Sequence, residues 1–409
     1  MKPGYKQTEI GVIPEDWEVK FLTAFGAVVS GGTPSTSVSE YWDGDIAWCT
    51  PSDITKTAGT TIAKTERCIT AKGLFNSAAV LLPPGCVLLC TRATIGDSKI
   101  NSVAMATNQG FKNIVPKNCN ISFLFYLLQT KKQQMLEKAI GSTFLEISKS
   151  ALCSIPMQYP PIPEQQRIAE ALSDVDELIA SLEKLIEKKK AIKQGVMQEL
   201  LTGKRRLPGF CMPWILVNIS DLAEIYSGGT PDTSNSDYWG GSIPWMNSGE
   251  LNLKIVQQVQ GRITQRGYEN SSTHYIPAFC VLIGLAGQGK TRGTAAYNTF
   301  PLCTNQSIAA IYPNPKVYDS KFLYYMMDVQ YDKLRELSSG DGGRGGLTKN
   351  LLLNYSLTIP KDVEEQRDIA AIMTAIDNEI MSLEAKLTKA QQIKQGMMQR
   401  LLTGAIRLI

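Results

Sequence analysis

The chain has 409 residues, a length that suits two or three domains. Its 42 basic and 38 acidic residues leave a net charge of only +4, so any basic surface must come from clustering. Nine cysteines without a C-x-x-C pair and a single histidine, His274, argue against a zinc site and against most nucleophile–base schemes. Unpatterned thiols of this kind point to a reducing cytoplasm.

The amino-terminal segment MKPGYKQTEIGVIPEDW is polar and carries no apolar signal core. From Trp17 to Pro160 the chain is rich in Gly, Pro, Thr and Ser between short β-branched runs such as Cys86–Leu89 and Lys112–Val115. These read as strands and turns, with a helix-like stretch over Ser122–Lys138. The most apolar stretch, Ala78–Cys90, is broken by Pro83-Pro84 and falls short of the ~18–20 residues of a membrane helix.

From Glu164 to Leu201 there is no proline, and good helix formers dominate. Ile168, Leu172, Val175, Ile179, Leu182 and Ile186 alternate spacings of four and three, a coiled-coil seam. Lys189 interrupts it, and Ile192, Val196 and Leu200 resume on a displaced stripe, as in a stutter. Such a helix is roughly 57 Å long, and its single apolar stripe requires a partner.

The chain then begins again. Trp17, SGGTP at Ser30–Pro34, Tyr41-Trp42, Trp48 and Thr107-Asn108-Gln109 return 197 residues later, as Trp214, Ser227–Pro231, Tyr238-Trp239, Trp245 and Thr304-Asn305-Gln306. Strand-like Cys280–Ile283 and Ser307–Tyr312 and helix-like Ser320–Leu337 fill the second globule. A second seam runs through Ile369, Met373, Ile376, Ile380, Leu383 and Leu387, and Ile393-Lys394-Gln395-Gly396 repeats Ile192-Lys193-Gln194-Gly195 at an offset of 201. The repeat predicts an α+β chain with a pseudo-twofold: two sheet-containing domains separated by two long antiparallel coiled-coil helices. The boundaries expected are 1–160, 161–203, 204–360 and 361–409. The segment before Trp17 is placed to close the circle on the carboxyl terminus. Gly195 and Gly396, inside the helices, mark either close backbone contact, a local bend or merely tolerated glycines.

GVIPEDW, SGGTPS with its following YW and W, ISKSAL, PPIPEQQRIA, LLTGKRRLPGF and EEQRDIA, in this order and largely twice, resemble the specificity subunits of type I restriction-modification enzymes. The resemblance covers nearly the whole chain. It implies that each globule is a target-recognition domain reading one half of a bipartite site in double-stranded DNA. It implies that the helices space the domains and dock two methyltransferase (M) subunits. It places S-adenosylmethionine, ATP and Mg on the M and restriction/translocase (R) subunits, leaving this chain without cofactor or catalytic residue.

Candidate contacts lie where the copies differ. After Trp48 and Trp245 the segments CTPSDI and MNSGEL offer Thr50, Ser52, Asp53, Asn247, Ser248 and Glu250 to base edges. Arg92 in copy one, and Lys290 and Arg292 in copy two, are expected to play one part toward phosphates or bases. Ser142, Lys149, Arg344 and Lys349, in equivalent loops, are placed to reach the DNA backbone. Gly284–Thr291 (GLAGQGKT) also fits a phosphate-cradling loop letter for letter, and a nucleotide-binding protein is the alternative reading. A third is a coiled-coil scaffold that binds only proteins. The SGGTP glycines read as a tight turn with aromatics packed beneath, or as an anion-binding loop. Lys188-Lys189-Lys190 and Lys204-Arg205-Arg206 are either solvated faces or contacts to DNA or partner.

Overall fold

The computed structural model describes residues 3–141, 145–287, 289–338 and 346–409. They form two compact units, one of residues 1–185 and 383–409, the other of 186–382. Both division points fall inside the long helices, Ile162–Leu200 and Val363–Leu401, so each unit contains part of both. Among the described residues no helix is long and apolar enough to cross a membrane.

In the first unit a five-stranded sheet runs in the order Gly26–Ser30, Phe111–Pro116, Val87–Cys90, Ser98–Asn101, Thr61–Ile62. Its neighbours are antiparallel except for the last pair. The Val87–Cys90 strand is wholly buried, which explains its continuous apolar run. A second sheet sets Trp42–Cys49 between Met105–Thr107, parallel, and Arg67–Ile69, antiparallel. The second unit repeats this plan: Ile225–Ser227, Ile308–Ile311, Val281–Gly284, Ala295–Asn298 and Ile255–Val256 form one sheet. Gly261–Ile263, Trp239–Met246, Leu302–Thr304 and Tyr275–Ile276 form the other. The helix-like stretches are each two helices, broken at Lys131 and at Gln330, where ψ rises to 2° and 7°.

The repeated words of the sequence have repeated physical reasons. Trp48 and Trp245 donate from Nε1 to the carbonyls of Gly32 (2.9 Å) and Gly229 (3.0 Å). The SGGTP glycines therefore do have aromatics beneath them, but they make no tight turn of positive φ. A Cβ on Gly31 would lie 2.0 Å from the Asn108 carbonyl and one on Gly32 2.3 Å from Ala78, so close passage of backbone excludes a side chain. The words EQQR and EEQR open the long helices: Gln165 and Gln366, fully buried, donate to Pro160 and Pro360 and accept from the backbone of Asn120 and Asp319 (2.8–2.9 Å).

Within each unit the two helix segments run antiparallel. In the first, Lys394 pairs with Asp176 (2.6 Å). In the second, Lys189 pairs with Glu379 and Lys193 with Asp377 (2.7 and 2.6 Å). Asp176 also accepts from Tyr126 (2.7 Å) and Asp377 from Tyr325 (2.8 Å), which ties each helix pair to the globule of its unit. Of the seam, Ile168 and Leu172 bury completely in the globular core, while Leu182 and Ile186 are 9% and 6% exposed. Gly195 and Gly396 show no close backbone contact: a Cβ on either would meet nothing within 4 Å, and the helix runs unbroken through both.

The amino terminus does meet the carboxyl terminus within the first unit. Tyr5 donates to the Gly404 carbonyl (2.9 Å), and Arg407 forks onto both Asp16 and Glu164 (2.7–2.9 Å).

Candidate nucleic-acid interface

The strand Trp42–Cys49 delivers the chain to Thr50, which caps the short helix Pro51–Lys56. Asp53 closes this cap. Its Oδ2 accepts from the Thr50 N–H (2.8 Å) and hydroxyl (2.6 Å), and its Oδ1 accepts from the Glu66 N–H (2.8 Å). The side chain is only 6% exposed. Thr50 and Asp53 thus shape the loop, and Ser52 stands exposed on it.

Arg92 leaves the end of the Val87–Cys90 strand and bridges to the strand-like Glu146. Thr91 donates to Gly110 (2.8 Å), and Ile147 donates to Thr91 (3.0 Å). These bonds bring three loops together around a concavity of about 580 Å³, lined by Thr50, Pro51, Ser52, Asp53, Glu66, Arg67, Arg92, Ala93, Asn108, Gln109 and Gly110. Four of the sequence candidates, Thr50, Ser52, Asp53 and Arg92, therefore share one hollow. Lys149, itself exposed, opens the helix Lys149–Cys153 close in sequence to Ile147, outside the lining. Ser142 lies outside the described residues.

The second unit repeats the cap with other letters. Asn247 caps the turn Ser248–Leu253, and Glu250 accepts from the Asn247 N–H (2.9 Å) and amide (3.0 Å) and from the Gln260 N–H (2.9 Å). Asp53 and Glu250, different in sequence, do the same structural work. The hollow beside Glu250, about 460 Å³, is lined by Gly249, Glu250, Asn252, Leu253, Gln258, Val259 and Gln260. Ser248 and Asn247 sit at its edge in sequence, half-buried and exposed.

Lys290 and Arg292 occupy the connection between the antiparallel strands Val281–Gly284 and Ala295–Asn298. Lys290 is exposed, and its carbonyl accepts from Thr294 (2.7 Å) and Tyr331 (3.0 Å). A phosphate-cradling loop needs a helix after the strand, whose N-terminal amides face the anion. Here a second strand follows, so the GLAGQGKT match lacks its defining partner. Register also corrects the expected equivalence. Thr91 and Leu285 make the same bonds, to Gly110 and Ser307, so Arg92 corresponds to Ala286 and not to Lys290 or Arg292. Lys349 opens the helix Lys349–Leu353, its ammonium 5.6 Å from the Tyr226 ring. Arg344 lies outside the described residues.

Members of both basic runs are paired with carboxylates. Lys189 pairs with Glu379, Arg205 with Glu199 (3.2 Å), and Arg206 forks onto the fully buried carboxylate of Glu365 (2.6 and 2.7 Å). Burial pushes the Cys49 thiol upward, and the Cys90 thiol to about 12, so neither supplies a thiolate at neutral pH.

Sequence reasoning missed Arg67. Its guanidinium lies over the Trp42 ring, 3.6 Å from the centroid, and it lines the first hollow. The signal is nonlocal, since Arg67 meets Trp48 only through antiparallel pairing of their strands.

Comparison with known proteins places this geometry. The pattern of the Type I restriction modification DNA specificity domain matches residues 14–194 and again 212–395. The chain is 26% identical over 435 aligned positions to a putative type I restriction enzyme MjaX specificity subunit of Methanocaldococcus jannaschii, covering 99% of this chain and 97% of that protein. It is 43% identical over 183 residues to the MjaIX specificity subunit of the same organism, a match that spans 44% of this chain and 42% of that protein. The fold is that of a type I restriction-modification S subunit from M. genitalium, with a TM-score of 0.64 at 14% identity, over 98% of this chain and 99% of that one.

Proposed function

The chain belongs, in both of its halves, to the family of type I restriction modification DNA specificity domains, and on that premise we propose that it reads a bipartite site in double-stranded DNA, one half-site for each unit. The carrying observation is that one fold is built twice with its loop hollows furnished differently. Arg67 and Arg92 of the first unit are replaced, in register, by Gly261 and Ala286 of the second. Two readers of one sequence would keep the same donors, whereas two readers of different half-sites need different ones.

Within this reading the exposed or half-buried positions Ser52, Arg92, Lys149, Ser248, Lys290, Arg292 and Lys349 meet base edges or phosphates. Thr50, Asp53, Asn247 and Glu250 hold the loops that present them. The long helices set the spacing between half-sites and dock two M subunits. Methyl transfer from S-adenosylmethionine, and ATP- and Mg-dependent work, belong to the M and R subunits, and this chain is not itself catalytic. The nucleotide-binding alternative loses its support because the strand Ala295–Asn298, and not a helix, follows Gly284–Thr291.

Selection from random duplexes, with the methyltransferase partner present, tests the proposal. It should return two dissimilar short motifs separated by unspecified bases. A single contiguous motif contradicts two independent readers, and the absence of any motif favours a scaffold that binds only proteins.

A further inference from the structure

We infer that Arg67 is the guanine-reading residue of the first unit, a specificity determinant at a single base pair of one half-site. The inference rests on the DNA-reading function proposed above and adds to it the residue and the base.

The guanidinium is laid on the buried Trp42 ring, 3.6 Å from its centroid, at the rim of the 580 Å³ hollow. Stacking of this kind fixes the plane of the fork while leaving its N–H groups for a ligand. Arg67 is exposed; its carbonyl accepts from the Thr65 hydroxyl (2.8 Å), and among the described residues its guanidinium makes no hydrogen bond or ion pair. The carboxylates beside it are engaged elsewhere. Glu66 pairs with Lys56 (2.8 Å), and both oxygens of Asp53 accept from the loop.

The two side-chain amide oxygens that line the hollow are engaged too. Asn108 Oδ1 accepts from the Gly110 N–H (2.9 Å), and Gln109 Oε1 accepts from the Thr33 hydroxyl. The fork of Arg67 is therefore not held by these neighbouring side-chain oxygens, and its donors face a ligand. Of the four base edges in the major groove, only guanine presents two hydrogen-bond acceptors, N7 and O6, at a spacing that an arginine fork spans. Adenine would bring a donor toward donors, cytosine a donor alone, and thymine one acceptor beside a methyl group.

The second unit lacks this device. Gly261 stands where Arg67 does, and a Cβ there would lie 2.3 Å from the Trp245 carbonyl. Its neighbour Arg262 is turned inward, donating to the carbonyls of Val259 (2.6 Å) and Gly261 (2.9 Å). The inferred readout is thus confined to one half-site.

The test compares the full chain with its Arg67→Lys and Arg67→Ala variants, each assembled with the methyltransferase partner and selected against a random-sequence duplex library. Lysine keeps the charge and loses the fork. Both variants should lose the preference for a G·C pair at one position of one half-site, by about tenfold or more, with the other half-site unchanged. If instead Arg67→Lys restores full affinity and neither variant alters the selected sequence, Arg67 serves a phosphate and the inference is overturned. If the unaltered protein selects no bipartite motif, the proposed function fails first, and this inference falls with it.

Discussion

Arg407 and Arg206 occupy the same place in the two copies and do the same work. Each follows the end of a long helix and forks onto the carboxylate that opens the other, Glu164 or Glu365. These carboxylates are nearly inaccessible, with side-chain exposures of 5% and 0%. Removing one partner of such a pair leaves a buried charge uncompensated, which costs about 3–5 kcal/mol. Arg407→Ala should therefore lower the urea midpoint of unfolding substantially. Arg205→Ala, which removes an exposed pair with Glu199, should change stability by roughly 1 kcal/mol or less. Equal effects of the two would show that burial of Glu164 is not what makes Arg407 important. Arg407 also holds the Asp16 carboxyl below its ordinary value, chiefly through their hydrogen bond. That contribution is present at neutral pH and is lost as the pH falls through the lowered value. The copies differ around this pair: Arg407 also forks onto Asp16 where Arg206 donates to the Met212 carbonyl (2.8 Å), and Trp17 donates to Glu164 (2.8 Å) where Trp214 Nε1 is buried with no partner among the described residues. From sequence, Lys204-Arg205-Arg206 read as a charge run, because nothing local reveals that its last member reaches a carboxylate 159 residues away. Arg67 was hidden for the same reason, its ring partner Trp42 being supplied by tertiary packing.

At the scale of elements the helices were the most legible part, since a sustained seam and proline-free composition are local signals. The repeated lysine of the IKQG words is less so. Lys193 and Lys394 pair with Asp377 and Asp176, which also receive Tyr325 and Tyr126. Only the fold brings these three residue types together. The glycines that follow were open to two structural readings, and the space around them decides. With nothing within 4 Å of a Cβ, alanine fits at both Gly195 and Gly396, and the helix gains about 1 kcal/mol per site from the better helix former. The double variant Gly195→Ala, Gly396→Ala should unfold at a higher urea concentration than the unaltered chain. A lower midpoint would mean that these positions pack against something a methyl group displaces. The strands were found to within a residue or so where they are buried on both faces, as at Val87–Cys90 and Val281–Gly284. The small second sheets were not individually legible. Their short strands pair across long intervening segments, as Trp42–Cys49 does with Met105–Thr107.

At the scale of the whole molecule the internal repeat carried the architecture, because two copies of the same words demand two copies of the same contacts. Differences between copies carried less, since Asp53 and Glu250 differ in letter and agree in role. The function of the long helices as a spacer is testable by lengthening them. Each begins in one unit and ends in the other, so residues added to both must be added at facing levels. Lys394 pairs with Asp176 in the antiparallel segment of the first unit. Nine residues on from Asp176 and nine back from Lys394 therefore bring Leu185 level with Ala385. Insertion after Leu182 and Leu383, the equivalent positions in the seam, would put the two additions out of step. A heptad inserted after Leu185 and another after Ala385 keep the seam in phase and add about 10 Å. At roughly 34 Å per 10 base pairs, that is about three base pairs. Selection with the lengthened protein and its partner should return the same two half-sites with a wider gap, because no recognition loop is touched. Rotation about the DNA axis changes with the spacing, so affinity falls to some degree even where the gap follows the insertion. An unchanged gap at full affinity would show that the helices do not measure the site, and would leave docking of the methyltransferase subunits as their role.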